Sequence, residues 1–506
     1  MNPLDMLIYG GGAALLGAFV FIVWSYAKGL RGSPRELFIL FGSKILEYSA
    51  YSATNYAFVL YLSADCGLSD VAAGSYIGVY SMGITLCTML VGAVVDAVGV
   101  RRTLIFGAAV LVVARLGMPF CGNVFSATVF GFFPLAIGMA IMLPVLSVGI
   151  KRYTTREGAA LGFAMFYTLM NVGHAIGANT FDAVRRTFGE HAIVAVPLVG
   201  LHFSTYQIIF LVGLAMSVPN LLAMLLLREG VEMTEDRGVV RRPAPPRAAG
   251  SAVVAGFASV KKAAADTARI FSQVFRERAF WRFLFMLGLL VFVRMVFYHF
   301  HYTFPKYGIR LLGKGVKIGN IYGVLNPVMI VFLVPLFAAA TRKVGSYKVM
   351  MAGTWISALS VFIAAIPARF FAPLVDTWIG ELVFDRWLGV APEQRNPLFL
   401  ALIAMVVVFT VGEALWSPRL MQFTAEIAPK GREGSYISLS YLPFFGAKLI
   451  AGPMSGLLLR AYAPPDATAY PNHTMVWIWI GAMALVSPLG LLVFRRSFQK
   501  AEQTAE

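Results

Sequence analysis

Charge is scarce in this sequence. Asp, Glu, Lys and Arg make up 13% of its 506 residues, against roughly 25% in soluble domains, too few to cover a water-facing surface. Acid is scarcer than base, with 25 Asp and Glu against 42 Lys and Arg, so the formal net charge is +17. Cysteine is nearly absent. Three cysteines cannot define a disulfide scaffold; Cys87 lies inside an apolar run, while Cys66 and Cys121 fall in joints on one side, where an oxidising compartment would let them pair if their geometry allowed. There is no G-x-x-x-x-G-K-[ST] loop to hold a nucleotide, no set of nucleophile and base, and no cluster with metal-ligand spacing. These gaps argue against an enzyme, a cofactor, a metal centre and ATP-driven work.

What fills the chain instead is apolar: 58% of residues are hydrophobic and the mean hydropathy is +0.74. Runs of about 20 apolar residues, enough to cross a hydrocarbon core as a helix, recur between short polar joints. They do not alternate as barrel strands would, so the expected fold class is an all-α membrane protein whose solvent is the lipid bilayer. A first span at residues 5–27 precedes the basic KGLRGSPR and has no basic residue at its start, which fits a retained helix rather than a cleaved signal. Spans follow at 36–63, 70–95, 102–120, 126–150, 157–181 and 200–227, then at 279–303, 316–340, 348–366, 398–424, 433–460 and 474–494. The predicted organisation is an extra N-terminal helix (1–30), a six-helix bundle (31–227), a polar linker (228–278), a second six-helix bundle (279–497) and a tail (498–506).

The basic residues sit in the joints. VRR at 100–102, KRYTTR at 151–156, TRKVGSYK at 341–348 and PKGR at 429–432 share a side with KGLRGSPR, and the positive-inside rule makes that side cytoplasmic without invoking a nucleic-acid partner. The N-terminus is then outside and the C-terminus cytoplasmic, with a bacterial inner membrane as the expected location. Within the linker, residues 257–278 read as a basic amphipathic helix, with Ile270, Phe271, Val274 and Phe275 at helical spacing. On the opposite side, residues 374–389 set Trp378, Leu382 and Trp387 against Asp376, Glu381 and Asp385, the pattern of a second amphipathic helix, either an interfacial anchor or a lid. The GGGAALLG run (Gly10–Gly17) permits close helix contact, so the extra helix either packs on the outside of the bundle or offers a surface through which two copies could form a homo-dimer.

The joint between the second and third spans of the bundle reads G-AVV-D-AV-G-V-RR, that is Gly92, Asp96, Gly99, Arg101 and Arg102. Its glycines allow a tight turn and its acid and bases can clamp one conformation. This joint, with its counterpart at 341–348, resembles the signature loop of the major facilitator superfamily, and the resemblance runs from about residue 36 onward. It implies two six-helix bundles rocking about a central site. Three further motifs resemble the proton-coupled oligopeptide transporters within it: LNPVMIVFLVPLFA (Leu325–Ala338), GEALWSP (Gly412–Pro418) and GFAMFYTLMNVG (Gly162–Gly173). That resemblance implies that Asn326 and Glu413 line the cavity. The chain also departs from the family. Where the family carries E-x-x-E-R, this sequence has Lys44, Glu47 and Tyr48; the lysine expected before Pro144 is Leu143; and the seventh core helix offers Arg294, His299 and His301 in place of an acid.

An ionised group in a span costs about 2.5–3.5 kcal/mol on insertion scales, so each needs a protein partner or water. Lys44, Glu47, Arg294, Glu413 and Lys448 are the firm cases, with Arg115 and His174 beside them. Lys44 and Glu47, three apart, either neutralise one another or face the cavity. Glu413 either pairs with Lys448 or Arg294, or acts as a cavity acid that meets an ammonium group or carries a proton. His299 and His301 are two apart, point to different helix faces and make a poor metal pair, but either imidazole could carry a proton. The expected substrate-binding set is Glu413, Asn326, Trp416, Tyr48, Tyr51, Arg294 and Lys448, with Tyr56 as a further aromatic; the expected proton-coupling set is Glu47, Glu413, His299 and His301.

Three cations against two acids suit a substrate with a carboxylate or phosphate. The expected activity is secondary active transport of a small organic anion or zwitterion, in one form peptide-like, by alternating access and driven by protons. Two alternatives stay open: an exporter or flippase of amphipathic lipids or drugs, and a transport-dead sensor.

Overall fold

A computed structural model describes residues 3–196, 200–236, 238–241, 261, 265, 278–427 and 442–495. One helix, α1 (Pro3–Gly29), precedes six helices, α2 (Arg35–Ala64), α3 (Asp70–Val98), α4 (Val100–Gly117), α5 (Val124–Arg152), α6 (Arg156–Phe188) and α7 (Thr205–Leu225), and packs on the outside of α6. The second set comprises α8 (Arg278–Tyr302), the short α9 (Phe304–Leu312), α10 (Asn320–Ala340), α11 (Ser346–Ala365), α12 (Leu398–Ile427), α13 (Leu442–Tyr462) and α14 (Met475–Val493). Among the described residues, nine helices are long and apolar enough to cross a membrane. The fold is two six-helix bundles with an added N-terminal helix.

Local chemistry sets the helix ends. Ser204 and Gln207 form a reciprocal capping box at the start of α7, Ser204 N–H donating to Oε1 of Gln207 (2.8 Å) and Gln207 N–H to Oγ of Ser204 (3.1 Å). Thr155 caps α6 by accepting from the Gly158 N–H. Gly99 and Gly189, at φ of 90° and 91°, stop α3 and α6 in a backbone conformation that glycine adopts without strain.

Inside the first bundle α2 packs on α6 and α7, and α4 on α5 and α7; in the second α11 packs on α12, and α8 on α13 and α14. The bundles meet along α3 with α13 and along α6 with α10. At the first seam Gly74 and Gly78 lie against Gly452 and the Lys448 carbonyl so closely that a Cβ on either glycine would strike backbone. Only small residues let two helices approach like this.

Several elements differ from expectation. α6 runs on to Phe188, and the span predicted from residue 200 starts at Thr205, because β1 (Ile193–Val196) pairs antiparallel with β2 (Leu201–Ser204) ahead of it. The helix α9 follows directly where a loop was expected. The polar linker begins with a second pair of strands, β3 (Val231–Met233) on β4 (Val239–Arg241), joined to the bundle by Arg228, which binds Glu36 at 2.6 and 2.9 Å. The amphipathic helix expected at 257–278 lies, but for Lys261, Ala265 and Arg278, outside the described residues, as does the first part of the span expected at 433–460. The region 374–389 is helical only from Trp378 to Leu388, as a short turn Trp378–Gly380 widening into Glu381–Leu388. Cys66 and Cys121 carry free thiols.

Candidate functional site

The central helices bring two buried carboxylates into very different company. Glu47, near the middle of α2, faces α4 and α7. Its two oxygens accept from Arg115 at 2.7 and 3.3 Å, and Oε2 also accepts from the Asn220 amide at 3.1 Å, while Arg115 donates to Ser217 Oγ at 2.5 Å. Glu47 and Arg115 are 0% and 2% exposed. Neutralisation of Glu47 by Lys44 is therefore not what the structure contains: the planar guanidinium takes both oxygens at once, which an ammonium cannot do. Lys44 turns instead to α6, with its ammonium 3.9 Å from the Tyr48 ring centre and 3.8 Å from that of Phe166. Tyr48 meets the ring of His174 edge-on at 5.0 Å, and Tyr51 does so at 6.0 Å.

Glu413, in α12, has a neutral partner. Its Oε2 accepts from the Asn326 amide at 2.7 Å, and the same amide donates to Thr410 Oγ1 at 2.9 Å. The expected alternative of an ion pair with Lys448 or Arg294 is thus corrected: Arg294 is in electrostatic reach, but the contact belongs to Asn326. Arg294 lies over the rings of Phe297 (4.9 Å) and Phe444 (5.7 Å), within electrostatic reach of Glu413. Tyr167 of α6 is in reach of both Glu413 and Arg294, so this cluster faces the first bundle. Lys448 crosses to α3, donating to the Ser81 carbonyl (3.1 Å) and Thr85 Oγ1 (2.9 Å).

Other predicted residues sit elsewhere. Trp416 is 0% exposed, with its indole N–H on Ser357 Oγ at 3.2 Å; it fills the seam between α11 and α12 and lines no space in this conformation. His299 turns into the second bundle, its Nδ1 2.8 Å from Thr303 Oγ1, which donates to Ser455. His301 takes the other face as expected and stacks on Tyr56 across the bundles at 4.8 Å. In the α3–α4 joint, Arg101 donates to the Leu227 and Leu225 carbonyls and Arg102 pairs with Glu229 at 2.7 Å, holding the end of α7 to α4. Gly92 and Asp96 lie within α3, and their side chains are outside the described set.

Sequence reasoning missed a network at the opposite end from that basic joint. Asp182, Arg185 and Glu190 of the first bundle bind one another and the strand of backbone entering α10: Arg185 donates to the Val316 carbonyl (3.1 Å), Gly315 N–H to Glu190 (3.1 Å), and Gly319 and Asn320 N–H to Asp182 (3.0 and 2.7 Å). Burial opposes ionisation of Glu190, but the Arg185 guanidinium outweighs it and holds the carboxyl below the ordinary carboxylate range. Beside it Asp70 grips Lys306 (2.8 Å) and Arg310 (2.7 Å) of α9. A charged run at a helix end looks like a solvated joint in the sequence, so only the fold identifies these groups as cross-links. No group of three or more His, Cys, Asp or Glu side chains is placed to hold a metal ion among the described residues.

The Major Facilitator Superfamily profile matches residues 40–384. The chain belongs to that superfamily. It is a multi-pass membrane transporter and not an enzyme. Over 494 residues it is 21% identical to dipeptide and tripeptide permease A of Escherichia coli (strain K12), covering 91% of this chain and 92% of that one. Its fold is similar to that of a POT family transporter solved with 5-aminolevulinic acid (TM-score 0.65, 18% identity, 92% and 97% of the two chains). It is also similar to one solved with a thioalcohol-conjugated peptide (TM-score 0.66, 17% identity, 93% and 99%).

Proposed function

We propose that this transporter moves a small peptide-like zwitterion or organic anion by alternating access, driven by protons, and that the cavity lies between Lys44, Tyr48 and Tyr51 on one bundle and Asn326, Glu413, Arg294 and Lys448 on the other. The observation that carries the reading is Glu413, a buried acid held by a neutral amide at 2.7 Å rather than by a cation. Such an acid can exchange a proton or an ammonium partner without breaking an ion pair. The likeness to a named di- and tripeptide permease supports the substrate class.

Among the described residues, the charged clusters that tie the bundles together gather around Asp70 and Arg185, at the end away from the basic joints. With the basic end cytoplasmic, this conformation is closed outside and faces inward. The same rule puts the C-terminus inside and, because α1 adds one crossing, the N-terminus outside.

The test is uptake into proteoliposomes of a pool of di- and tripeptides, with and without an imposed inward proton gradient. Accumulation that needs the gradient supports the reading. Movement of lipid analogues alone would replace it with a flippase, and ligand binding without flux would replace it with a sensor.

A further inference from the structure

The second bundle sets two cations beside one acid that is already engaged. Glu413 is bonded to Asn326. Arg294 lies against Phe297 and Phe444, whose rings cover a guanidinium face but do not offset its charge as an anion would. Lys448 donates to a carbonyl and a hydroxyl, both uncharged, and lies over the Tyr298 ring at 5.9 Å. The two cations are in electrostatic reach of one another, and both are only half-buried, unlike Arg115 and Glu47. Like charges held together at this depth raise each other's cost, and neutral acceptors do not remove it. Across the cavity Lys44 adds a third cation, while Glu47 is already matched by Arg115. A plain zwitterion would be matched by one cation and by Glu413, leaving two positive charges over.

We propose that Arg294 and Lys448 form an oxyanion subsite, so that the transporter selects substrates bearing an acidic group, a carboxylate or phosphonate, in addition to their zwitterionic ends. Arg294 supplies a planar fork and Lys448 a point charge, a pair suited to grip one oxyanion from two sides. The inference rests on the cavity reading above.

The experiment is calorimetry on the full-length protein in nanodiscs with alanyl-glutamate, its uncharged match alanyl-glutamine, and glutarate as a non-peptide probe. The native protein is expected to prefer alanyl-glutamate over alanyl-glutamine by about tenfold or more. That ratio should fall toward unity in Arg294→Gln and in Lys448→Gln, and Arg294→Lys should keep most of it, which leaves a readout if Arg294→Gln does not fold. Equal binding of the two dipeptides by the native protein would overturn the subsite and leave the peptide reading standing. A ratio unchanged in both Gln variants would also overturn it. Glutarate bound in an Arg294-dependent way, with neither dipeptide bound, would uphold the subsite and refute the peptide-like substrate. If none of the three probes binds, the subsite is refuted.

Discussion

Glu47 and Glu413 are the same residue type, each buried in a central helix, one in each bundle. Glu47 is held by a guanidinium, an amide and, through Arg115, a hydroxyl; Glu413 shares one amide with Thr410. The first arrangement is a buried ion pair whose two carboxylate oxygens both accept from Arg115, and such a pair loses much if one partner goes. The second keeps its acid in electrostatic reach of Arg294, with Asn326 as its hydrogen-bond partner. The lesson is that an acid in a span does not by itself identify a coupling residue; the difference in partners is what supports our proposal that Glu413, rather than Glu47, does the coupling.

The sharpest way to break that contrast is to neutralise each acid in turn. Glu413→Gln is expected to lower gradient-driven uptake to background while substrate counterflow, which needs no net proton movement, survives; paired uptake and counterflow assays read it. Arg115→Met leaves Glu47 buried and unpaired and should cost about 3–5 kcal/mol, seen as a fall in melting temperature that the double change with Glu47→Leu largely restores. Asn326→Leu removes the one hydrogen bond to Glu413 and should weaken the protein by about 1–3 kcal/mol at most, again by melting. The outer network sharpens the comparison from outside the membrane. Because Glu190 is held below its ordinary range, its contribution is full above that range and is lost only as pH falls through the depressed value. Spin labels on the β1–β2 pair and the 313–319 joint should therefore keep their distance between about pH 7 and about pH 5, and separate in Glu190→Gln.

How much of this was legible in the sequence follows from range. Periodic hydropathy is local, so the spans, their grouping into two sets and the odd charge of Glu413 could be read from residues 411–420 and their neighbours alone. Partner choice is tertiary. Nothing near Glu47 shows that Arg115, 68 residues away, will reach it with a bidentate fork while Lys44, three away, turns to Phe166. Trp416 looked like a cavity aromatic because it sits beside Glu413, yet its indole points into the α11–α12 seam. Arg185 and Glu190 sit among residues that resemble a solvated helix end until Gly189 turns the chain back and the other bundle covers them. The pairing of β1 with β2 was hidden because each strand is only four residues long, too short for IVAV or LHFS to show a pattern of its own beside the apolar span that follows.

The central claim is that a proton enters and leaves through Glu413 and not Glu47. It is tested most directly by counting protons: purified protein in proteoliposomes loaded with a pH-sensitive dye, given substrate, with the native chain beside Glu413→Gln and Glu47→Gln. The account predicts substrate-driven acidification of the lumen in the native protein, none in Glu413→Gln, and, in whatever fraction of Glu47→Gln folds, an unchanged number of protons per substrate. Proton movement that persists in Glu413→Gln and vanishes in folded Glu47→Gln would contradict it.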